Sequence, residues 1–79
     1  MNPISTLVSE YLRETQGDYS YFATMVRRGD RVGQAFVNAL SHEDQVRLRG
    51  TPHDPFHSDN YGALYEALDF LTRPTKRNL

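Results

Sequence analysis

Residues 50–60 read GTPHDPFHSDN and separate two runs in which apolar residues recur at helical spacing. Proline disfavours helical backbone in the residue before it, so a helix cannot continue through Pro52. Gly50 favours ending the preceding helix, because glycine readily adopts the left-handed conformation after a last turn. Asp54 and Pro55 form a capping residue followed by proline, which predicts a single new turn. The stretch therefore predicts an irregular link between two helices.

Both sides of the link carry helix signals. After it, apolar residues recur at i, i+3, i+4 and i+7, which predicts an amphipathic helix. These residues are Tyr61, Leu64, Tyr65, Leu68 and Leu71. Ser58 or Asp59 is the predicted N-cap of this helix, and Pro74 is predicted to end it. Before the link, Ser41 and Asp44 resemble a capping box and predict a short helix, although QVRLRG also alternates as a strand would.

Three further helices are predicted upstream, each with its own start and stop signals. Asn2 and Pro3 begin the first, and Gly17 ends it. Asp18 caps the second and Gly29 ends it, and Asp30 caps the third. The predicted apolar stripes are Ile4, Leu7, Val8, Tyr11 and Leu12, then Tyr19, Phe22, Ala23 and Val26, then Val32, Ala35, Phe36, Ala39 and Leu40.

Gly33 lies inside the third predicted helix, where glycine costs about 1 kcal/mol relative to alanine. We interpret it as a packing residue that lets another helix approach closely. No hairpin signal is present. The sequence therefore predicts an all-α protein, an irregular bundle of four to five short helices, with one domain over residues 1–74 and a frayed tail over 75–79.

Composition bounds the class of protein. The chain has 79 residues, a formal net charge of −1 and no cysteine. Absence of cysteine excludes disulfides and thiolate zinc sites and suits a cytoplasmic location. The N-terminus does not read as a signal peptide, and no apolar stretch reaches the roughly 20 residues needed to span a bilayer. We expect a soluble cytoplasmic protein without a membrane association and without a cofactor.

The link also holds the residues that most resemble a metal site, His53, His57 and Asp59. Histidine and carboxylate are common metal ligands, so a metal site is one alternative. However, a proline stands between the histidines, and the spacing matches no metal motif with a known mechanism. The preferred interpretation is that the acids cap, the prolines fix the backbone and Phe56 is buried beneath the link.

Tyrosines and arginines suggest binding to a macromolecule. Tyr19 and Tyr21 are two apart on one predicted helix, so they point in different directions and at least one should be exposed. Exposed tyrosines are typical of protein interfaces. Arginines suit either an acidic partner surface or phosphates. The predicted partner-binding residues are Tyr19, Tyr21, Arg27, Arg28 and Arg31, and the nucleic-acid alternative uses Arg27, Arg28, Arg31, Arg47 and Arg49.

Catalysis is not predicted. The sequence has no nucleophile elbow, no phosphate-binding glycine loop and no paired-carboxylate signature. A thin helical core also leaves little room for a small-molecule pocket of roughly 300 Å³ or more.

The segments GQAFVNAL (33–40) and RGTPHDPF (49–56) resemble small bacterial and phage-type helical proteins with a G-Q-A-x-x-N-A-L…R-G-T-x-x-D-P-F pattern. The resemblance covers about a third of the chain and brings no activity with it. It implies that residues of both segments form one structural unit, in which Gln34 or Asn38 could satisfy backbone groups of the link.

Together these observations predict a helical protein that binds a protein partner in an accessory, regulatory or inhibitory role in a bacterium or phage. Nucleic-acid regulation through the arginines is the alternative, and a metal site in the link is the second alternative. The sequence leaves the partner and the oligomeric state open, and a homodimer is one possibility.

Overall fold

The computed structural model describes residues 3–73, and these form five helices. The helices are α1 (Pro3–Glu14), α2 (Tyr19–Arg27), α3 (Val32–Ala39), α4 (His42–Leu48) and α5 (Tyr61–Thr72). Residues 3–73 contain no strand, so the predicted all-α fold is confirmed and the strand alternative within α4 is excluded. The predicted cap at Asn2, the stop at Pro74 and the tail at 75–79 lie outside the described residues.

One hydrophobic core lies between the helices, and α3 runs through its centre. The largest fully buried side chains are Phe36, Ile4, Leu12, Leu48, Leu64 and Val8. Phe22 of α2 packs edge-on against Phe36 of α3, with ring centroids 6.5 Å apart. Truncating a buried phenylalanine to alanine costs about 3–5 kcal/mol, which is comparable to the whole stability expected of a domain this small.

Several predicted helix ends are confirmed. The Asp18 carboxylate accepts a hydrogen bond from the Tyr21 amide at 3.0 Å, and the Ser41 hydroxyl accepts one from the Asp44 amide. Gly29 and Gly50 have φ angles of +93° and +80°, the left-handed conformation that favours glycine. Local side-chain and backbone chemistry therefore sets these boundaries.

Two predicted N-caps are wrong. Asn60, rather than Ser58 or Asp59, caps α5, and its side chain accepts from the Gly62 amide at 2.7 Å. Asp30 does not cap α3, which begins after Arg31 without a side-chain cap. The amide of Gly33 in the first turn of α3 instead donates to the Ser58 carbonyl at 2.9 Å. A backbone group of the link thus replaces the side chain that the sequence suggested.

Gly33 is a close-packing residue, but its neighbour is the link and not another helix. A Cβ atom at this position would lie 1.7 Å from the Pro55 carbonyl oxygen and 2.7 Å from that of Ser58. Gly17 also packs closely against a neighbouring segment, since a Cβ atom there would lie 3.0 Å from the Ala39 carbonyl oxygen. Its φ angle is not positive. Its predicted role as a left-handed helix end is therefore wrong.

The link is ordered by its own turns and by contacts with α5. The Asp54 carboxylate accepts from the Phe56 amide at 3.0 Å, and the Pro55 carbonyl accepts from the Ser58 amide at 2.8 Å, which forms the predicted single turn. Pro55 is buried, whereas Phe56 is half-buried at the edge of the core rather than enclosed. The ring of His53 stacks on Phe70 of α5 at 4.8 Å.

Helices α1 and α5 lie side by side and run in the same direction. Ser5 and Tyr61, near their starts, line one surface cavity, while Thr15 and Leu71, near their ends, line another. The pairing places two helix faces next to each other, with a shallow space between them.

Candidate functional site

A groove of about 350 Å³ runs between α1 and α5. Each helix contributes four lining residues at i, i+3, i+4 and i+7, the spacing that keeps side chains on one helical face. The lining residues are Leu7, Glu10, Tyr11 and Glu14 from α1, and Tyr65, Leu68, Asp69 and Thr72 from α5. Seven residues of α-helix rise about 10 Å, so the groove is about two helical turns long.

Leu7 and Tyr65 leave much of their apolar surface in water at this groove. Leu7 is 44% exposed and Tyr65 is 46% exposed, and Leu68 is buried on the groove floor. Both residues belong to the predicted apolar stripes of their helices, but the structure leaves them exposed. At about 100° per residue they lie at the outer edges of broad stripes centred on Val8 and Leu64, and the neighbouring helix covers only the centres.

Acidic side chains accompany the apolar ones. Glu10 and Glu14 lie one turn apart on α1, and neither forms a salt bridge within residues 3–73. Asp69 on the opposite side is paired with Arg73 at 2.6 Å, so its charge is partly neutralised. The groove is therefore an apolar floor with a negative rim.

Tyr11 lines both this groove and a second cavity, of about 660 Å³, to which α4 also contributes. Its hydroxyl donates a short hydrogen bond to the buried carboxylate of Asp44 in α4. Burial, followed by this hydrogen bond and the nearby negative charge, raises the pKa of the Tyr11 phenol well above its ordinary value. The phenol consequently stays protonated and fixes the position of its ring.

Arg47 completes this bridge between helices. Its guanidinium lies 3.5 Å from the Asp44 carboxylate, donates to the Leu71 carbonyl at 3.3 Å and lies over the Phe70 ring at 5.9 Å. These contacts hold α4 against α5. They also occupy the guanidinium of Arg47, which is one of the five arginines of the nucleic-acid alternative.

The predicted interface tyrosines are both half-buried, so the expectation that one of them is exposed is wrong. The guanidinium of Arg13 lies 5.1 Å from the centroid of the Tyr19 ring, which lines the cavity near the start of α1. Tyr21 accepts a hydrogen bond from the side-chain amide of Asn38 at 3.5 Å. The side chain of Asn38 therefore donates to α2, although Asn38 also lines a cavity together with Asp54 and Phe56 of the link.

The arginines proposed from the sequence fall into separate groups. Arg27, Arg28 and Arg31 are exposed around the turn between α2 and α3. Arg49 instead lines a third cavity, of about 310 Å³, and Arg47 lines the second cavity beside Tyr11. The five arginines do not share one cavity, and only the first three belong to a single turn.

The metal alternative is not supported by the geometry. Within residues 3–73, no three histidine, aspartate or glutamate side chains come close enough to hold a metal ion. His53 stacks on Phe70, while His57 packs edge-on against Phe56 at 5.1 Å. The rings of His53 and His57 therefore each pack against a phenylalanine, and these two histidines and Asp59 do not form a metal-binding cluster.

Comparison with known proteins finds no matching family model, no matching curated protein and no matching solved structure. None of the helices within residues 3–73 is both long enough and apolar enough to cross a membrane.

Proposed function

We propose that this chain works by binding a protein partner through the groove between α1 and α5, and not by catalysis. The observation that supports the proposal is the pair of half-exposed apolar side chains, Leu7 and Tyr65, above an apolar floor. We propose a cytoplasmic setting and an accessory, regulatory or inhibitory role, because the chain has no cysteine and a thin core of its own.

The physical argument rests on what a partner would gain. Tyrosine offers a large contact area at a small loss of rotamer entropy, and a buried aromatic anchor commonly dominates the energy of an interface. The floor of the groove is preformed, since the hydroxyl of Tyr11 is held by Asp44 and Leu68 is packed in the core. A preformed floor lowers the ordering cost of binding.

The test compares groove variants with a matched surface variant. Immobilised wild-type protein, Leu7→Ala and Tyr65→Ala are used to capture partners from the native host, with Val46→Ala as control. Val46 is 54% exposed but lines none of the four cavities described, so its truncation removes similar apolar surface elsewhere. A captured protein is then purified, and its direct affinity for each variant is measured by calorimetry.

Groove binding predicts that Leu7→Ala and Tyr65→Ala lose at least about tenfold in affinity, as truncation of an interface anchor does, while Val46→Ala retains wild-type affinity. Circular dichroism must show equal helicity for all variants. Equal affinity for all four proteins would refute the groove as the binding surface.

A second candidate is nucleic-acid binding at the turn between α2 and α3. Arg27, Arg28 and Arg31 are exposed there, and none forms a salt bridge within the described part of the chain. Phosphate binding by these arginines predicts that affinity for duplex DNA falls steeply with salt and drops in an Arg27→Ala, Arg28→Ala double variant. Fluorescence anisotropy at two salt concentrations tests this, and absence of binding at low salt would exclude it.

A further inference from the structure

We infer that the occupant of the α1/α5 groove is a basic amphipathic helix of the partner protein. This inference rests on the proposed function and adds the chemical class of the partner segment. It follows from the charge of the rim, from the spacing of the lining residues, and from the absence of a sheet edge within residues 3–73.

The rim selects for positive charge. Glu10 and Glu14 contribute two carboxylates without a salt bridge among residues 3–73, and Asp69 contributes a third that Arg73 only partly offsets. The nearby Arg13 is directed away, over the ring of Tyr19. Lysine or arginine side chains at the edge of a partner would therefore meet acids that form no salt bridge within residues 3–73, whereas an acidic partner would meet repulsion.

The same rim argues against a second copy of this chain as the occupant. A two-fold dimer built on the groove brings two identical surfaces together, so two rims with the same excess of acidic side chains would meet at the interface. Like charges brought close together cost free energy, and within residues 3–73 only Asp69 among the groove acids has a salt-bridge partner, Arg73.

The shape of the groove favours a helix. Parallel stripes at i, i+3, i+4 and i+7 form a channel about two turns long, which matches anchors spaced at i, i+3 or i+4, and i+7 on a bound helix. Residues 3–73 offer no sheet edge to which an extended strand could add. A volume of about 350 Å³ accommodates anchor side chains while the backbone of the bound helix stays above the groove.

The experiment uses three synthetic peptides of about 16 residues and the full chain. The basic peptide carries leucines at i, i+4 and i+7 with lysine and arginine on the flanks. The acidic peptide replaces those cations with glutamate, and the scrambled peptide keeps the basic composition but breaks the leucine spacing. Binding is followed by fluorescence polarisation, and the contacted residues are mapped by amide chemical shifts in NMR spectra.

We expect the basic peptide to bind at least about tenfold more tightly than the other two and to shift amides of α1 and α5. Glu10→Lys and Glu14→Lys should each weaken it by about two- to fivefold, as reversal of exposed charges does, and raised salt should reduce the difference. Glu66→Lys is the matched control, because Glu66 is exposed on α5 but does not line the groove.

The outcomes separate this inference from the proposed function. If Tyr65→Ala abolishes binding of all peptides but charge makes no difference, the groove binds proteins and the basic class is wrong. If the basic peptide binds and Tyr65→Ala has no effect, the groove itself is wrong. Failure of the basic peptide to bind at about 1 mM, or self-association of the chain that Leu7→Ala abolishes, would overturn the inference.

Discussion

Replacing Gly33 with alanine should destabilise the protein, even though alanine is the better helix former. The change gains about 1 kcal/mol of helix propensity. A steric clash opposes this gain, because the added Cβ atom would lie 1.7 Å from the Pro55 carbonyl oxygen, about half of an ordinary contact distance. The link must retreat by more than 1 Å, which breaks the hydrogen bond from the Gly33 amide to Ser58.

The magnitudes decide the sign. Overpacking of this kind costs about 1–3 kcal/mol, and the 1.7 Å approach places this case at the upper end. Losing the hydrogen bond costs about 1 kcal/mol more. After subtracting the propensity gain, Gly33→Ala should lower the free energy of unfolding by about 2–3 kcal/mol, out of the 3–5 kcal/mol expected for a core of this size. The melting temperature should fall by on the order of 10–20 °C.

Gly62→Ala is the matched control, because Gly62 also lies in the first turn of a helix and donates its amide to a cap. A Cβ atom there would lie 3.1 Å from the Asn60 side chain, and this contact offsets part of the propensity gain of about 1 kcal/mol, so stability should be unchanged or rise by up to about 1 kcal/mol. Urea unfolding followed by circular dichroism measures both variants. If Gly33→Ala is as stable as Gly62→Ala, the packing of the link against α3 is wrong.

Three further predictions concern the bridge at Tyr11 and the helix caps. Tyr11→Phe leaves the buried Asp44 carboxylate without its hydroxyl donor and should lower stability by about 1–3 kcal/mol in urea unfolding, an effect that Tyr65→Phe should not reproduce. Because folding raises the pKa of the Tyr11 phenol, its stabilising contribution is complete below the unfolded pKa of about 10 and is lost as pH rises further. Absorbance at 295 nm should show one tyrosine ionising later than the rest, and its absence from the wild-type titration would contradict the assignment. Asp18→Ala and Ser41→Ala should each cost about 1 kcal/mol, with unfolding midpoints unchanged if these residues do not cap.

Much of the fold could be predicted because its signals are local. Asp18 and Ser41 cap through amides three residues away, and Gly29 and Gly50 satisfy a backbone requirement of their own turns. The start of α3 could not be predicted, because its acceptor is a backbone carbonyl of Ser58, distant in sequence and carrying no side-chain signature. A backbone carbonyl that caps a helix only in the folded protein cannot be identified from the capping side chains in the sequence.

The candidate site was less predictable for a related reason. The apolar stripes that contain Leu7 and Tyr65 predict helices, as the structure shows. The width of a stripe does not indicate which of its edges the neighbouring helix leaves exposed to solvent. Their exposure at 44% and 46% depends on how α1 and α5 pack together. The number of tyrosines instead favours Tyr19 and Tyr21 as interface residues, but the Tyr19 ring contacts Arg13 and the Tyr21 hydroxyl accepts from Asn38. Residues at the edges of unusually broad stripes were the signal that could have identified the groove.

The hydrogen bond from Gly33 to Ser58 also bears on the order of folding. During synthesis, α3 leaves the ribosome well before the link that supplies its acceptor, so the first turn of α3 remains incomplete until residue 58 has emerged. Loop closure between these segments must then precede full formation of the central helix. Residues that precede the link therefore cannot complete the native hydrogen bonding of α3 on their own.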